Sequence, residues 1–191
     1  MILFVDHYDS FSNNLISWFL SKGLNLCIKS YHELDKIDSF DEIKGVIYSP
    51  GPGHPSEYTE SLKFYKKIPE IMPFLGVCLG HQLLLYSEGG KITQISEKPI
   101  HGRQITLSNP IPSKFFLENE LDGTFVLYNS LGCKIDDPIF KENMLALAFE
   151  EGFVLATEHK VYPRIGVQFH PESFASPGGN TILNSFLRLI S

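Results

Sequence analysis

In the stretch "GVCLGHQ", residues 76–82, a cysteine stands between two glycines at the junction of two apolar runs. Gly76, Cys78 and Gly80 form the thiol counterpart of the Gly-x-Ser-x-Gly nucleophile elbow, where a tight strand-to-helix turn exposes the reactive atom. A helix starting just after Cys78 favours the thiolate and aims the Leu79 N–H toward a developing oxyanion. One such donor contributes roughly 10² to 10³ in rate. Any cysteine can also pack as a small hydrophobe, and Cys27, inside an alternating apolar strand, and Cys133, beside a loop, lack the Gly-x-Cys-x-Gly context and are assigned that role. A thiol nucleophile needs a base, and the chain has seven histidines. His170, in "GVQFHPES", ends a strand-like run and precedes Glu172 by two residues. In an extended segment held by Pro171 the two side chains share a face, so the carboxylate reaches one imidazole nitrogen and leaves the other for the thiol. The competing reading of the spacing is a strand-end histidine beside a surface glutamate. His81 is closer to the cysteine but, three residues along the helix, is expected to face the sheet or support the elbow rather than serve as the base. "SPGPG", residues 49–53, follows another strand-like run. Its glycines leave backbone N–H groups approachable, which suits a second oxyanion donor as well as it suits a plain turn.

These residues must be carried by elements that bring them together. Apolar runs of strand length alternate with amphipathic segments through the first half: "MILFV", "FSNNLISWFLSKG", "LNLCIKS", "GVIYS" and "EYTESLKFYKKI". That order predicts βα units around a parallel sheet, whose ligands gather at the strand C-terminal ends. Leu15, Trp18 and Phe19 share a helical face that Gly23 terminates. "MPFLGV" followed by "LGHQLLLYSE" predicts the strand and helix of the elbow. The second half holds closely spaced strand-like stretches, "TFVLY", "MLALAFE", "FVLATEH" and "RIGVQF", with "EEG" as a hairpin turn, so antiparallel strands are expected there. "NTILNSFLRLIS" predicts a last helix packed back on the sheet. The fold class is therefore α/β, an open, mostly parallel, flavodoxin-like sheet flanked by helices with additional antiparallel strands, in a single domain over residues 1–191.

Composition excludes several functions. The 191 residues carry a formal charge of −6 and no basic tract interleaved with aromatics, so no nucleic-acid partner is expected. No apolar run approaches the roughly 20 residues of a membrane span, and "MILFVD" lacks the plan of a secretory signal. Three cysteines without close spacing fit a reduced, cytoplasmic compartment. Cys78 and His81 have no second ligand pair at zinc spacing, so no metal is expected.

Taken together, "DHYDSFSNNL", "SPGPG", "GVCLGHQ", "YNSL" and "GVQFHPES" resemble, in order and spacing, the class I (triad) glutamine amidotransferases. Within these the chain is similar to the small subunits of anthranilate synthase and aminodeoxychorismate synthase rather than to GMP synthetase or carbamoyl phosphate synthetase. The resemblance implies Cys78 as nucleophile on the glutamine γ-amide, His170 as base and Glu172 as its orienting partner. It also implies oxyanion donors at Gly51 and Leu79, and glutamine held by Gly51, Pro52, Gly53, Gln82, Ser130 and Leu131. No cofactor is implied in this subunit, and the ammonia would pass to a large chorismate-using subunit. A standalone γ-glutamyl hydrolase and a weakly catalytic regulatory subunit are the alternatives. One departure is visible: the family's "RYHSL" reads "LYNSL" here, with Leu127 and Asn129 replacing an arginine and a histidine. "HGRQ", residues 101–104, is assigned only a loop or interface role.

Overall fold

The computed structural model describes residues 1–95, 100–108 and 111–191. Its core is a seven-stranded sheet in the order β2-β1-β3-β4-β11-β10-β9. The strands β1 (Ile2–Asp6), β2 (Leu26–Ser30), β3 (Gly45–Tyr48), β4 (Phe74–Val77) and β11 (Arg164–Val167) run parallel. β10 (Phe153–His159) and β9 (Met144–Glu150) add antiparallel strands at one edge. "EEG" is the hairpin turn between them: Glu151 and Gly152 both have positive φ, 50° and 80°, which matches the twist of the flanking strands.

Period-two alternation decides the layers. Ile2, Phe4, Ile47, Leu75 and Val77 point to one face, where α1 (Ser12–Ser21) and α5 (Gly179–Leu189) supply Leu15, Phe19, Ile182, Leu183 and Phe186. Leu3, Val5, Val46, Tyr48 and Phe74 point to the other, against α2 (Thr59–Tyr65) and α3 (Leu79–Ser87). Both faces are covered, so the parallel strands read as continuous apolar runs rather than alternating ones. Trp18 lies at the rim of its helix face, where its indole N–H donates to Asn180 Oδ1 at 2.6 Å. Gly23, at φ 74°, ends α1 in the left-handed conformation.

The antiparallel strands expected of the second half form, but not all of them in the central sheet. "TFVLY" forms β7 (Gly123–Leu127), but it pairs with β6 (Arg103–Leu107) in a separate two-stranded ribbon. A second ribbon joins β5 (Ile92–Gln94) to β8 (Leu131–Cys133). "RIGVQF" contributes β11, which is parallel to β4 and antiparallel only to β10, so it completes the parallel core. Arg103 and Gln104 of "HGRQ" lie in β6 rather than in a loop, and the Arg103 guanidinium grips Glu151 with two hydrogen bonds of 3.0 Å. A short α4 (Ile139–Glu142) precedes β9. No helix among the described residues is long and apolar enough to cross a membrane.

Candidate active site

The C-terminal ends of β1, β3, β4 and β11 carry "DHYDSF", "SPGPG", "GVCLGHQ" and "GVQFHPES", while "YNSL" follows β7. β4 delivers its chain into α3 through Cys78, whose φ of 53° and ψ of −103° put a residue with a Cβ in the left-handed half of the map. Such a conformation costs on the order of 1–3 kcal/mol and persists only where its surroundings impose it. The Cys78 N–H donates to the Val167 carbonyl at 2.9 Å, and its carbonyl accepts from Gln82 N at 3.1 Å, so sheet and helix clamp the turn from both sides. The glycines serve by their absence of side chain. A Cβ on Gly76 would sit 2.7 Å from His81 N, and one on Gly80 would overlap the Tyr48 carbonyl. They let α3 descend onto the ends of β4 and β3, while the strained dihedrals belong to Cys78 itself. At the first turn of α3 the Leu79 N–H has no intrahelical acceptor.

"SPGPG" leaves β3 and meets the elbow directly. A Cβ on Gly51 would lie 2.5 Å from Leu79 Cδ2 and 2.7 Å from His7 Cβ, so the Gly51 backbone lies against the Leu79 side chain and the His7 strand end. The loop is tied down from beneath. His7 N donates to Ser49 Oγ at 2.8 Å, Ser49 Oγ donates to the Pro50 carbonyl at 2.7 Å, and the Tyr58 hydroxyl donates to the Pro52 carbonyl at 2.7 Å. His7 is fully buried, its Nε2 is 2.9 Å from Ser61 Oγ, and burial pushes its pKa down to about 3. Its position at the end of an apolar strand was the available signal for this support, and the sequence reading gave it no role.

His170 follows β11 and is anchored by its N–H on the Val126 carbonyl at 3.0 Å. Its Nδ1 and Glu172 Oε1 are 2.7 Å apart, with 2% and 0% of the two side chains exposed. The pair does not meet along an extended strand. Pro171 and Glu172 lie in a turn closed by Ser173 N donating to the His170 carbonyl at 3.2 Å, and this turn brings the carboxylate back to the ring. Nε2, on the other side of the imidazole, is buried without a hydrogen-bond partner. Burial opposes the imidazolium, but the nearby Cys78 sulfur, as charge and as acceptor, together with Glu172, outweighs it and holds the His170 pKa well above its ordinary value. The approach of Nε2 to the sulfur is thus electrostatically felt while still outside hydrogen-bond geometry, a contact of the kind that tightens when substrate binds.

In front of the sulfur lies a cavity of about 220 Å³. Gly51, Pro52, Gly53, Gln82, Ser130 and Leu131 all line it with Cys78, and so do Tyr128 and Asn129. Leu79, His170 and Glu172 are not part of this lining. Asn129 is 5% exposed and donates from Nδ2 to the Leu131 carbonyl at 2.8 Å, while Leu127 is buried in the core. A larger cavity of about 440 Å³ beside Ile111, Ser113 and Phe116 contains no cysteine or histidine. His81 faces the sheet as expected: its ring packs over Gly166, its Nε2 is 3.1 Å from Thr157 Oγ1, and burial pushes its pKa down to about 3. Cys133 is buried, with its thiol pKa pushed up to about 12, chiefly by desolvation. Gln168 is the residue near the sulfur that sequence reasoning missed; its Nε2 is 3.6 Å from Cys78 Sγ. No group of three or more His, Cys, Asp or Glu side chains among the described residues is arranged to hold a metal.

An open α/β sheet with a strained cysteine at a strand-to-helix elbow and a buried histidine–carboxylate pair beside it has the parts that thiol chemistry requires. Residues 3–190 match the family described as "Glutamine amidotransferase class-I", and the chain belongs to that family. It is 31% identical to anthranilate synthase component 2 of Methanothermobacter thermautotrophicus, over 99% of each chain. It is 36% identical to aminodeoxychorismate synthase component 2 of Klebsiella aerogenes, over 98% of this chain and 99% of the other. Among solved structures, a glutamine amidotransferase from Thermotoga maritima superposes with a TM-score of 0.73 at 16% identity, covering 98% of this chain and 82% of that one, a likeness of fold.

Proposed function

We propose that the chain hydrolyses glutamine to glutamate through a γ-glutamyl thioester on Cys78 and delivers the ammonia to a larger subunit that aminates chorismate. The observation that carries this reading is the strained Cys78 in the wall of a small cavity, with the His170–Glu172 pair interacting with its sulfur. Glutamine enters with its amino-acid end against Gln82, Ser130 and Leu131 and its γ-amide over the sulfur. The Cys78 thiolate attacks the amide carbon, and the oxyanion is received by the Leu79 and Gly51 N–H groups. His170, held as imidazolium by the adjacent sulfur and by Glu172, gives its proton to the departing nitrogen, and ammonia leaves as the C–N bond breaks. Water then loses a proton to His170 and attacks the thioester. Glutamate departs, and the sulfur is restored.

The relatives named as component 2 of anthranilate and aminodeoxychorismate synthases support a subunit role with a chorismate-using partner. The location of this assembly is proposed to be cytoplasmic, and its glutaminase chemistry needs no cofactor in this chain. Affinity capture of the tagged chain from its own cells tests the partner: recovery of a chorismate-using subunit, and glutamine-dependent formation of an ortho- or para-aminated product by the pair, is expected. Strong glutaminase activity alone that no such subunit increases would favour a standalone hydrolase instead.

A further inference from the structure

Gln168 follows β11, is 1% exposed, and is fixed through its main chain by donating to the Leu155 carbonyl at 2.8 Å. Its side chain belongs to a chain of amides with one possible direction. The Leu131 carbonyl, in the cavity wall, can only accept. It therefore turns the Gln82 NH₂ toward itself, at 2.9 Å, and that same nitrogen donates to Gln168 Oε1 at 3.2 Å. With its oxygen occupied in this way, Gln168 must present its NH₂ to Cys78 Sγ, at 3.6 Å, within the reach of a hydrogen bond to the larger sulfur atom. Flipping the Gln168 amide would set a carbonyl oxygen against the sulfur and two NH₂ groups against each other, so the polarity of the relay is set from the cavity wall. Asn129 Nδ2 donates to the same Leu131 carbonyl, which steadies the origin of the relay.

We infer that Gln168 is a further catalytic residue, a neutral donor to the Cys78 sulfur whose orientation is imposed by Gln82 and the Leu131 carbonyl. The inference rests on the proposed glutaminase reading and adds to it. A hydrogen bond to sulfur is strong when the sulfur is anionic and weak when it is acylated. Gln168 thus favours the two thiolate states: the resting nucleophile and the leaving group when water cleaves the thioester. In that second step the S–C bond breaks, its electron pair goes to sulfur, and the Gln168 donor receives the developing charge. Because Leu131 is also proposed to hold the amino-acid end of glutamine, substrate seating and the state of the sulfur share one hydrogen-bonded chain. The titratable groups around this sulfur are His170 with Glu172 beside β11 and, on the sheet side of α3, His81.

The test compares Gln168→Met, which fills similar space without a donor, and Gln168→Glu, whose carboxylate cannot donate to a thiolate. Iodoacetamide alkylation of Cys78 is followed against pH, and the γ-glutamyl adduct is quantified after quenching turnover with acid. Loss of a hydrogen bond to a charged group is expected to lower kcat roughly ten- to a hundredfold. The alkylation midpoint, a property of the Cys78–His170 pair, should move to higher pH in both variants, further in Gln168→Glu. The quenched adduct should increase in Gln168→Met. A purely structural role would lower the thermal midpoint while leaving the alkylation midpoint and adduct level unchanged, and that result overturns the inference. Cys78→Ala is measured in parallel: full glutamine turnover there overturns the glutaminase reading itself. An inactive Cys78→Ala beside a Gln168→Met that titrates as wild type overturns only the role of Gln168.

Discussion

The two ends of the central sheet both bury ionisable groups, and they treat them in opposite ways. At the N-terminal end, Glu88 closes α3 and is held on both oxygens. Tyr65 Oη donates to Oε1 at 2.5 Å, Asn143 Nδ2 donates to Oε2 at 2.5 Å, and Arg164 Nη1 reaches Oε1 at 3.5 Å. The Arg164 guanidinium also donates to the Ile68 carbonyl at 3.2 Å and lies over the Tyr65 ring. At the C-terminal end, Glu172 Oε2, His170 Nε2 and Asn129 Oδ1 are buried with no partner, next to a cysteine in a strained backbone conformation. Arg164 Nε and Asn143 Oδ1 are also unpartnered, but the charges they adjoin are compensated. One end uses its polar groups to fasten α2, α3, β9 and β11 together. The other gathers unmet polar groups around a strained backbone, features that tend to concentrate at functional sites.

The sharpest way to break this contrast is to weaken both ends and ask which property fails. Glu172→Gln is expected to lower kcat by about 10² to 10⁴, because the imidazole loses the carboxylate that orients it and stabilises its charge. Its thermal midpoint should change little. Arg164→Met should do the reverse. Leaving Glu88 without its buried cation costs about 3–5 kcal/mol, which lowers the midpoint by on the order of 10 °C in a chain of this size. Turnover per folded molecule should stay near wild type. Steady-state kinetics beside thermal denaturation checks both, and an Arg164→Met protein that unfolds normally but has lost turnover would dissolve the distinction.

A smaller effect separates histidines within the C-terminal end. His7 and His81 have folded pKa values near 3, against about 6.5 unfolded. Between those values the unfolded chain binds protons that the folded one refuses, so stability falls as pH drops through this window, by up to about 1.4 kcal/mol per pH unit for each residue. His170 has the opposite sign: its raised folded pKa gives a contribution that is complete below the unfolded value and is lost as pH rises through the folded one. Urea midpoints of His7→Asn, measured from pH 4 to 6, should show a shallower acid slope than wild type. An unchanged slope would mean that His7 is not buried neutral beneath the "SPGPG" loop.

Much of this arrangement was legible in the sequence because it is written locally. Period-two alternation in "MILFV" gives both faces of β1, and Gly-x-Cys-x-Gly gives the elbow because close helix–strand approach excludes a Cβ at two fixed positions. What was hidden depends on contacts made at long range. Arg164 opens an apolar strand and reads as its edge, yet it is buried against Glu88, 76 residues earlier. Gln168 reads as one polar residue in a strand end, and only the fold places its amide between Cys78 and Gln82. The His170–Glu172 pair was found through an extended-strand argument, whereas the chain achieves it with a turn; both geometries bring residues two apart to the same side. The ribbon formed by β6 and β7 was missed for the related reason that strand periodicity does not reveal which sheet a strand joins.

The central claim is that Cys78 is the residue acylated by glutamine, and rapid acid quenching during turnover followed by peptide mass analysis tests it most directly. The account predicts a γ-glutamyl adduct on the peptide containing Cys78 and neither adduct nor ammonia release in Cys78→Ala. Glutamine-dependent ammonia release that persists at the wild-type rate in Cys78→Ala would contradict it.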